Sequence, residues 1–330
     1  MLFISNKNNH DPALNLALEE YILRSLPDDN DYLLFYINEP SIIIGKNQNT
    51  VEEINAEYVE SNGIHIVRRL SGGGAVYHDL GNLNFSFIMK DDGKSFHNFK
   101  KFTEPVVQAL RTLGVEAELS GRNDLQVGER KISGNAQFST RGKMFSHGTL
   151  MFDSEIEHVV SALKVNAEKY VSKATKSIRS RVANISEFLT EPMTIEQFKA
   201  RLLQSLFAGE AKIPYYELSE QDWDNVHKLA DERYRSWDWN YGRSPTFNVR
   251  QTKRIEGAGM FDVRLQVEQG VIAGATIYGD FFGRGDVSEL ANKFVGVRYE
   301  NAALSEVLDQ LDLAFYLGPV TKEQVLELLL

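Results

Sequence analysis

Apolar residues recur at helical spacing near the start of the chain, where Leu14, Leu18, Tyr21 and Ile22 form one stripe. Asp11-Pro12 ahead of the stripe supplies an N-cap and a first helical position, and Pro27 marks its end, so a helix is predicted between them. Further helices are predicted around 51–61, 103–113 (closed by Gly114) and 194–208, where Thr194 and Gln197 fit a capping box. Between them the pattern changes. Tyr32–Ile37 and Ser41–Ile44 read as strands split by a turn at Glu39-Pro40. Ile64–Leu70, Ala75–His78 and Leu83–Met89 are β-like, with turns at Gly72–Gly74 and Asp79–Asn82. A second cluster runs Asp124–Val127, Lys131–Phe138 and Met144–Phe152. Strands joined by such short turns predict antiparallel pairing. The expected fold class is α/β (α+β): a mixed, largely antiparallel sheet with flanking helices.

From Trp237 to Phe247 the residues WDWNYGRSPTF read as a structured linker. Beyond it Phe261–Val267 alternates, turns at Gln269-Gly270 and pairs with Val271–Ile277, and helices follow near 300–311 and from Thr321 to the end. The predicted organisation is a domain over 1–236, a linker over 237–247 and a small α+β domain over 248–330.

Composition narrows the function. No apolar run approaches the roughly 20 residues needed to span a bilayer, and the N-terminus lacks the form of a signal peptide. No membrane partner is expected. The net charge of -10 argues against a general nucleic-acid binder, because phosphate contacts call for a basic surface. The chain has no cysteine, which removes disulfides, thiolate metal sites and a cysteine nucleophile together, and fits the cytoplasm.

The densest local signal is Arg68-Arg69-Leu70-Ser71-Gly72-Gly73-Gly74-Ala75-Val76-Tyr77-His78. Consecutive glycines expose backbone N–H groups to an anionic ligand, and the arginines add charged donors. The bare glycine triad is also compatible with a solvated hairpin loop; the flanking strands and arginines favour a site. The loop is not a P-loop, since no Gly-Lys-Ser/Thr closes it, and Gly257-Ala258-Gly259 is not a dinucleotide fingerprint. Alternation from Lys131 puts Lys131, Ser133 and Asn135 on one face and Ile132 on the other. Taken alone, a lysine there reads as a solvated edge residue. From Lys164 to Arg181 lie six basic residues and one acid, a solvated face or a lid over phosphates.

Together these segments resemble the lipoate–protein ligase family. Its Arg-Arg-x-Ser-Gly-Gly-Gly-Ala-Val-aromatic-His-Asp signature runs from Arg68 to Asp79, Gly-Arg-Asn-Asp-Leu falls at 121–125, and Lys-x-Ser-Gly at 131–134. His-Gly-Thr-Leu stands at 147–150, and Ser177–Val182 resembles the family's adenylate-binding loop. Asn240–Pro245 resembles the linker into the family's C-terminal accessory domain, so nearly the whole chain is covered.

The resemblance implies a catalytic domain with the fold of biotin protein ligases and, more remotely, class II aminoacyl-tRNA synthetases. It implies ATP-dependent conversion of lipoate to lipoyl-AMP, then transfer to a lysine of an acceptor. The expected acceptors are lipoyl domains of 2-oxoacid dehydrogenase complexes and the glycine-cleavage H protein. Lys131 would be the catalytic lysine, bridging acyl carbonyl and phosphate. Arg69, Gly74, Ala75, Val76, Tyr77, Lys131 and Arg179 would contact ATP or the adenylate. Gly73, Lys131, Ser133, Gly134 and His147 would contact lipoate. Mg²⁺ is expected with the nucleotide; no ligand set is evident, and Asp124 is the one candidate. Transferases of the same fold that use a cysteine thioester are excluded by the missing cysteine. A biotin-type ligase and a non-catalytic binder of the same fold are the alternatives.

Overall fold

A computed structural model describes every residue except 47, 122, 164–180, 209, 243–246, 280 and 282–284. The chain divides into two compact units, Met1–Lys46 with Glu53–Ser236, and Asn47–Glu52 with Trp237–Leu330.

The first unit is organised by a seven-stranded sheet. In chain order its strands are β1 (Leu2–Ser5), β2 (Tyr32–Ile37), β6 (Asn82–Lys90), β7 (Glu118–Ser120), β8 (Asp124–Val127), β9 (Arg130–Thr140) and β10 (Lys143–Met151). The spatial order is β1-β2-β6-β10-β9-β8-β7. Only β1–β2 is parallel; every other neighbouring pair is antiparallel. The mixed, mainly antiparallel sheet expected from the pattern is therefore present.

Helix α1 (Pro12–Ser25) is capped by Asp11, whose carboxylate accepts from the N–H groups of Ala13 and Leu14. Helix α4 (Phe99–Thr112) buries Phe102, Val106, Val107 and Leu110 in one core with Phe35, Phe85, Phe87, Leu125 and Ile132 of the sheet. Full burial of such a side chain is worth roughly 1.5–3 kcal/mol. The residues alternating with these, including Tyr36 and its cross-strand partner Asn84, face the opposite side of the sheet. Both faces of β2 are covered, which is why all six of its residues are buried.

A second, three-stranded sheet corrects the hairpin expected around the glycine triad. β3 (Ser41–Ile44) lies in the middle, parallel to β4 (His65–Arg68) and antiparallel to β5 (Val76–His78). The glycine-rich segment thus crosses the end of β3 instead of turning back on its neighbour. Its crossing is fixed by Arg69 N–H to Ile44 O at 2.9 Å and Lys46 N–H to Ser71 O at 2.9 Å.

The helix predicted over 51–61 is broken into α2 (Thr50–Glu53) and α3 (Ala56–Ser61). Ile54 bridges to Leu163 and Asn55 caps the second piece, so a tertiary pairing overrides local propensity. Helix α5 (Ile156–Ala162) follows β10; α6 (Ile195–Leu206) carries the Thr194–Gln197 capping box. Helix α7 (Glu220–Leu229) starts on a second box, Ser219–Asp222.

The second unit holds a meander of β11 (Phe247–Ile255), β12 (Gly259–Glu268) and β13 (Val271–Gly279). Phe261, Val263 and Leu265 pack with Leu290, Phe294, Leu304 and Leu328 from its helices, and Val51 joins this core. Trp237 and Tyr241, in the stretch read as linker, stack at 6.0 Å, and the Arg298 guanidinium lies 4.4 Å over Trp237.

Candidate active site

The site begins with two buried arginines that hold backbone. Arg68 donates to the carbonyls of Gly45 and Lys46. Arg69 donates from Nη1 to Ile43 O at 2.9 Å, from Nη2 to Gly72 O at 2.7 Å and Gly74 O at 2.8 Å, and from Nε to Ser71 Oγ at 3.0 Å. The guanidinium therefore shapes the glycine loop from inside. Burial lowers its pKa to about 10, against the raising influence of Tyr36 and Glu19, so it stays charged at neutral pH. Gly73 adopts φ of +94°, and a Cβ there would sit 3.0 Å from Arg69 Nη2, so both conformation and space call for glycine.

A chain of side chains continues from Arg69 to α1. Ser71 Oγ lies 2.8 Å from His147 Nε2, and His147 Nδ1 lies 3.0 Å from Glu19 Oε1. Arg69 Nε can only donate, so the Ser71 hydroxyl is free to donate to His147, which leaves Nδ1–H for the Glu19 carboxylate. The order resembles an acid–histidine–serine triad. Ser71 is buried and does not line the cavity, so the chain braces the loop and supplies no nucleophile.

Lys131 lies opposite. Its Nζ is 2.9 Å from Asp124 Oδ1, with the two side chains 41% and 39% exposed. A pair this exposed is worth about 0–1 kcal/mol, so Lys131 can exchange Asp124 for a ligand anion. Its backbone is held more firmly: Lys131 N–H donates to Arg181 O at 2.8 Å, and Ala183 N–H donates to Lys131 O at 2.9 Å. The neighbouring register jumps from Leu125↔Ser133 to Gln126↔Lys131, leaving Ile132 as the extra residue of a bulge. That bulge corrects the expected alternation. Lys131 comes to share a face with Gly134, whose Cβ would stand 3.1 Å from Nζ, while Ser133 is fully buried and receives Asn135 Nδ2 at 3.2 Å.

Between these parts lies a cavity of about 180 Å³. Arg69, Gly73, Gly74, Ala75, Val76, Lys131, Gly134 and His147, all named from the sequence, line it. Ser133 does not. Tyr77 lies instead in a neighbouring cleft with Asp79 and Leu80, its ring near-parallel to His158 at 6.4 Å. Arg179, with the rest of 164–180, falls outside the described residues.

On the cavity wall, His78, Asn123 and Thr149 are legible in the sequence only as members of motifs, and Tyr36 and Asn84 are not singled out by it at all. Those two are nonetheless signalled. Tyr36 and Asn84 are polar intrusions into apolar runs, and they face one another across β2 and β6. Burial, then Glu19, raises the Tyr36 hydroxyl well above its usual pKa, so it remains a neutral donor. His78 is pushed down to about 3 by burial, with Arg69 and His147 adding to the effect. Among the described residues no group of three or more His, Cys, Asp or Glu is arranged to hold a metal, and Asp124 is engaged by Lys131. The protein residues described do not form a metal cage.

Residues 11–207 match the lipoyl protein ligase A/B catalytic domain, and residues 244–329 match the bacterial lipoate protein ligase C-terminus. The chain belongs to the lipoate–protein ligase family. It is 62% identical over 331 residues to lipoate-protein ligase LplJ of Bacillus subtilis, covering all of both chains. A bi-partite lipoate protein ligase from Thermoplasma acidophilum, described with its E2 lipoyl domain, matches with TM-score 0.65 and 34% identity over 73% of this chain and 96% of that one. A lipoate-protein ligase A structure bound with ATP matches with TM-score 0.61 and 31% identity over 74% and 97%.

Proposed function

We propose that the chain activates lipoate with ATP in this cavity and passes the lipoyl group to an acceptor lysine. The observation that carries the reading is the convergence of the glycine loop, Arg69, Lys131 and His147 on one cavity in a chain of this family. The lipoate carboxylate attacks the α-phosphate, forming the acyl–phosphate bond as the bond to pyrophosphate breaks. Lys131 neutralises the charge that builds there, and the loop N–H groups hold the phosphate. The acceptor amine then attacks the acyl carbonyl, losing a proton as AMP leaves with the bonding electrons.

Mg²⁺ accompanies this chemistry on the nucleotide phosphates, its usual mode of binding, and supplies charge neutralisation there. Residues 1–236 carry activation and 248–330 act as the accessory part, a division supported by a cavity whose lining lies wholly in the first unit. The acceptors are lipoyl domains of 2-oxoacid dehydrogenase complexes and the glycine-cleavage H protein. The place of action is the cytoplasm; no helix among the described residues is long and apolar enough to cross a membrane. Mixing the protein with ATP, lipoate and a lipoyl domain should add one lipoyl group to one acceptor lysine by mass. An unmodified acceptor with a folded, lipoate-bound protein would favour a binding protein without turnover.

A further inference from the structure

His78 ends β5 and is almost fully buried, yet it lines the cavity. Its Nδ1 lies 3.0 Å from Asn38 Nδ2. Which nitrogen carries the ring proton follows from a row of buried amides. Asn15 Nδ2 donates to the backbone carbonyl of Asn9 at 3.0 Å, a group that can only accept, so the amino end of Asn15 is fixed. The same Nδ2 donates to Asn38 Oδ1 at 2.9 Å, which turns the Asn38 amino group toward His78. Asn6 Nδ2 donates to Asn15 Oδ1 at 2.9 Å and closes the row at its far end. The Nδ1 of His78 must then accept, and the proton sits on Nε2.

That Nε2–H has no hydrogen-bond partner among the described residues. A buried donor left unmade is a substantial penalty, and such groups in folded proteins ordinarily meet a partner. Asn38 holds the Nδ1 side of the ring and does not line the cavity, whereas the ring itself does; Nε2 is covered, so a ligand reaches its N–H by displacing what packs over it. We propose that His78 is a neutral hydrogen-bond donor to the bound acyl substrate, with its tautomer set by Asn6, Asn15 and Asn38. The acceptor is a lone pair on the acyl ligand, either a carboxyl-derived oxygen or a ring sulfur. Burial beside Arg69 and His147 keeps the imidazole uncharged, so the donor does not depend on pH near neutrality. Asn38 is a positioning residue, acting through His78.

This inference rests on the lipoate reading of the cavity, and the test separates the two. Full-length protein labelled with ¹⁵N-histidine, with His78 identified from the H78Q spectrum, is titrated with lipoate. The free protein should show His78 protonated at Nε2, and that signal should shift on saturation. If no cavity residue responds to lipoate, the lipoate reading fails. If binding is seen but the proton is on Nδ1, or Nε2–H does not move, the role of His78 alone is overturned. His78→Leu should weaken lipoate binding about tenfold, about 1.4 kcal/mol, whereas His78→Gln, which keeps an N–H at that reach, should largely restore it. Asn38→Asp should reproduce the loss by drawing the proton to Nδ1. Equal losses with lipoate and octanoate assign the acceptor to oxygen, and a loss confined to lipoate assigns it to sulfur. No loss with either acid in folded His78→Leu would overturn the proposal.

Discussion

The ammonium of Lys131 lies 2.9 Å from the Asp124 carboxylate in a pair that is two-fifths exposed on both sides. Such a pair adds little to stability, about 0–1 kcal/mol, and leaves the lysine available to substrate. Lys131→Ala is therefore expected to change the unfolding free energy by less than about 1 kcal/mol while cutting adenylate formation at least about 10²-fold, the scale of a lost transition-state donor. Urea unfolding and lipoate activation measured on one preparation check both halves.

Arg69 is the reverse case. Its removal strands the buried Ile43 carbonyl and the Ser71 hydroxyl, and releases the less buried carbonyls of Gly72 and Gly74 to water. With about 1–3 kcal/mol for each buried group left unpaired, Arg69→Ala is expected to destabilise the first unit by about 3 kcal/mol or more. Lysine cannot reproduce the planar fork, so Arg69→Lys should recover little of this in a denaturant midpoint.

Two glycines should separate function from packing. A Cβ on Gly134 would meet the flexible end of Lys131 at 3.1 Å, so Gly134→Ala is expected to lower kcat/KM for lipoate activation with little change in stability. A Cβ on Gly148 would meet Asn135 Oδ1 at 2.2 Å and the Phe85 ring at 2.6 Å. Gly148→Ala should therefore destabilise by about 1–3 kcal/mol, the usual range for overpacking, as read by thermal unfolding.

The depressed pKa of His78 gives stability a pH dependence of definite sign. The folded imidazole resists protonation down to about 3, whereas the unfolded one takes a proton near 6.5. Below 6.5 the unfolded state binds a proton that the folded state does not, so this contribution is lost as pH falls. Between pH 7 and pH 5 the native chain is expected to lose roughly 2 kcal/mol more than His78→Gln, by paired urea titrations.

Much of this was legible in the residues, because the extent of a strand is written in its own apolar run. Tyr32–Ile37, Ser41–Ile44 and Asp124–Val127 stand where the pattern placed them. What the pattern could not carry was pairing. β4 and β5 are neighbours in sequence but lie on either side of β3, a choice made by tertiary packing. The bulge at Ile132 is likewise a property of two strands together, and it turned the face of Ser133 away from that of Lys131. The break at Ile54 depends on Leu163, over a hundred residues later. His78 was read only as part of a motif, since its significance rests on amides drawn from α1 and the end of β2.

The central claim is that lipoate is activated as an adenylate in the cavity and travels without a covalent bond to the protein, which has no cysteine to form a thioester. The direct measurement is ATP–pyrophosphate exchange with and without lipoate, followed by the intact mass of the denatured chain. Exchange should appear only when lipoate is present, and the denatured chain should keep its unmodified mass while lipoyl-adenylate is released. Lipoate-independent exchange, no exchange by folded protein that binds lipoate, or a stoichiometric lipoyl adduct that passes to an added lipoyl domain would contradict it.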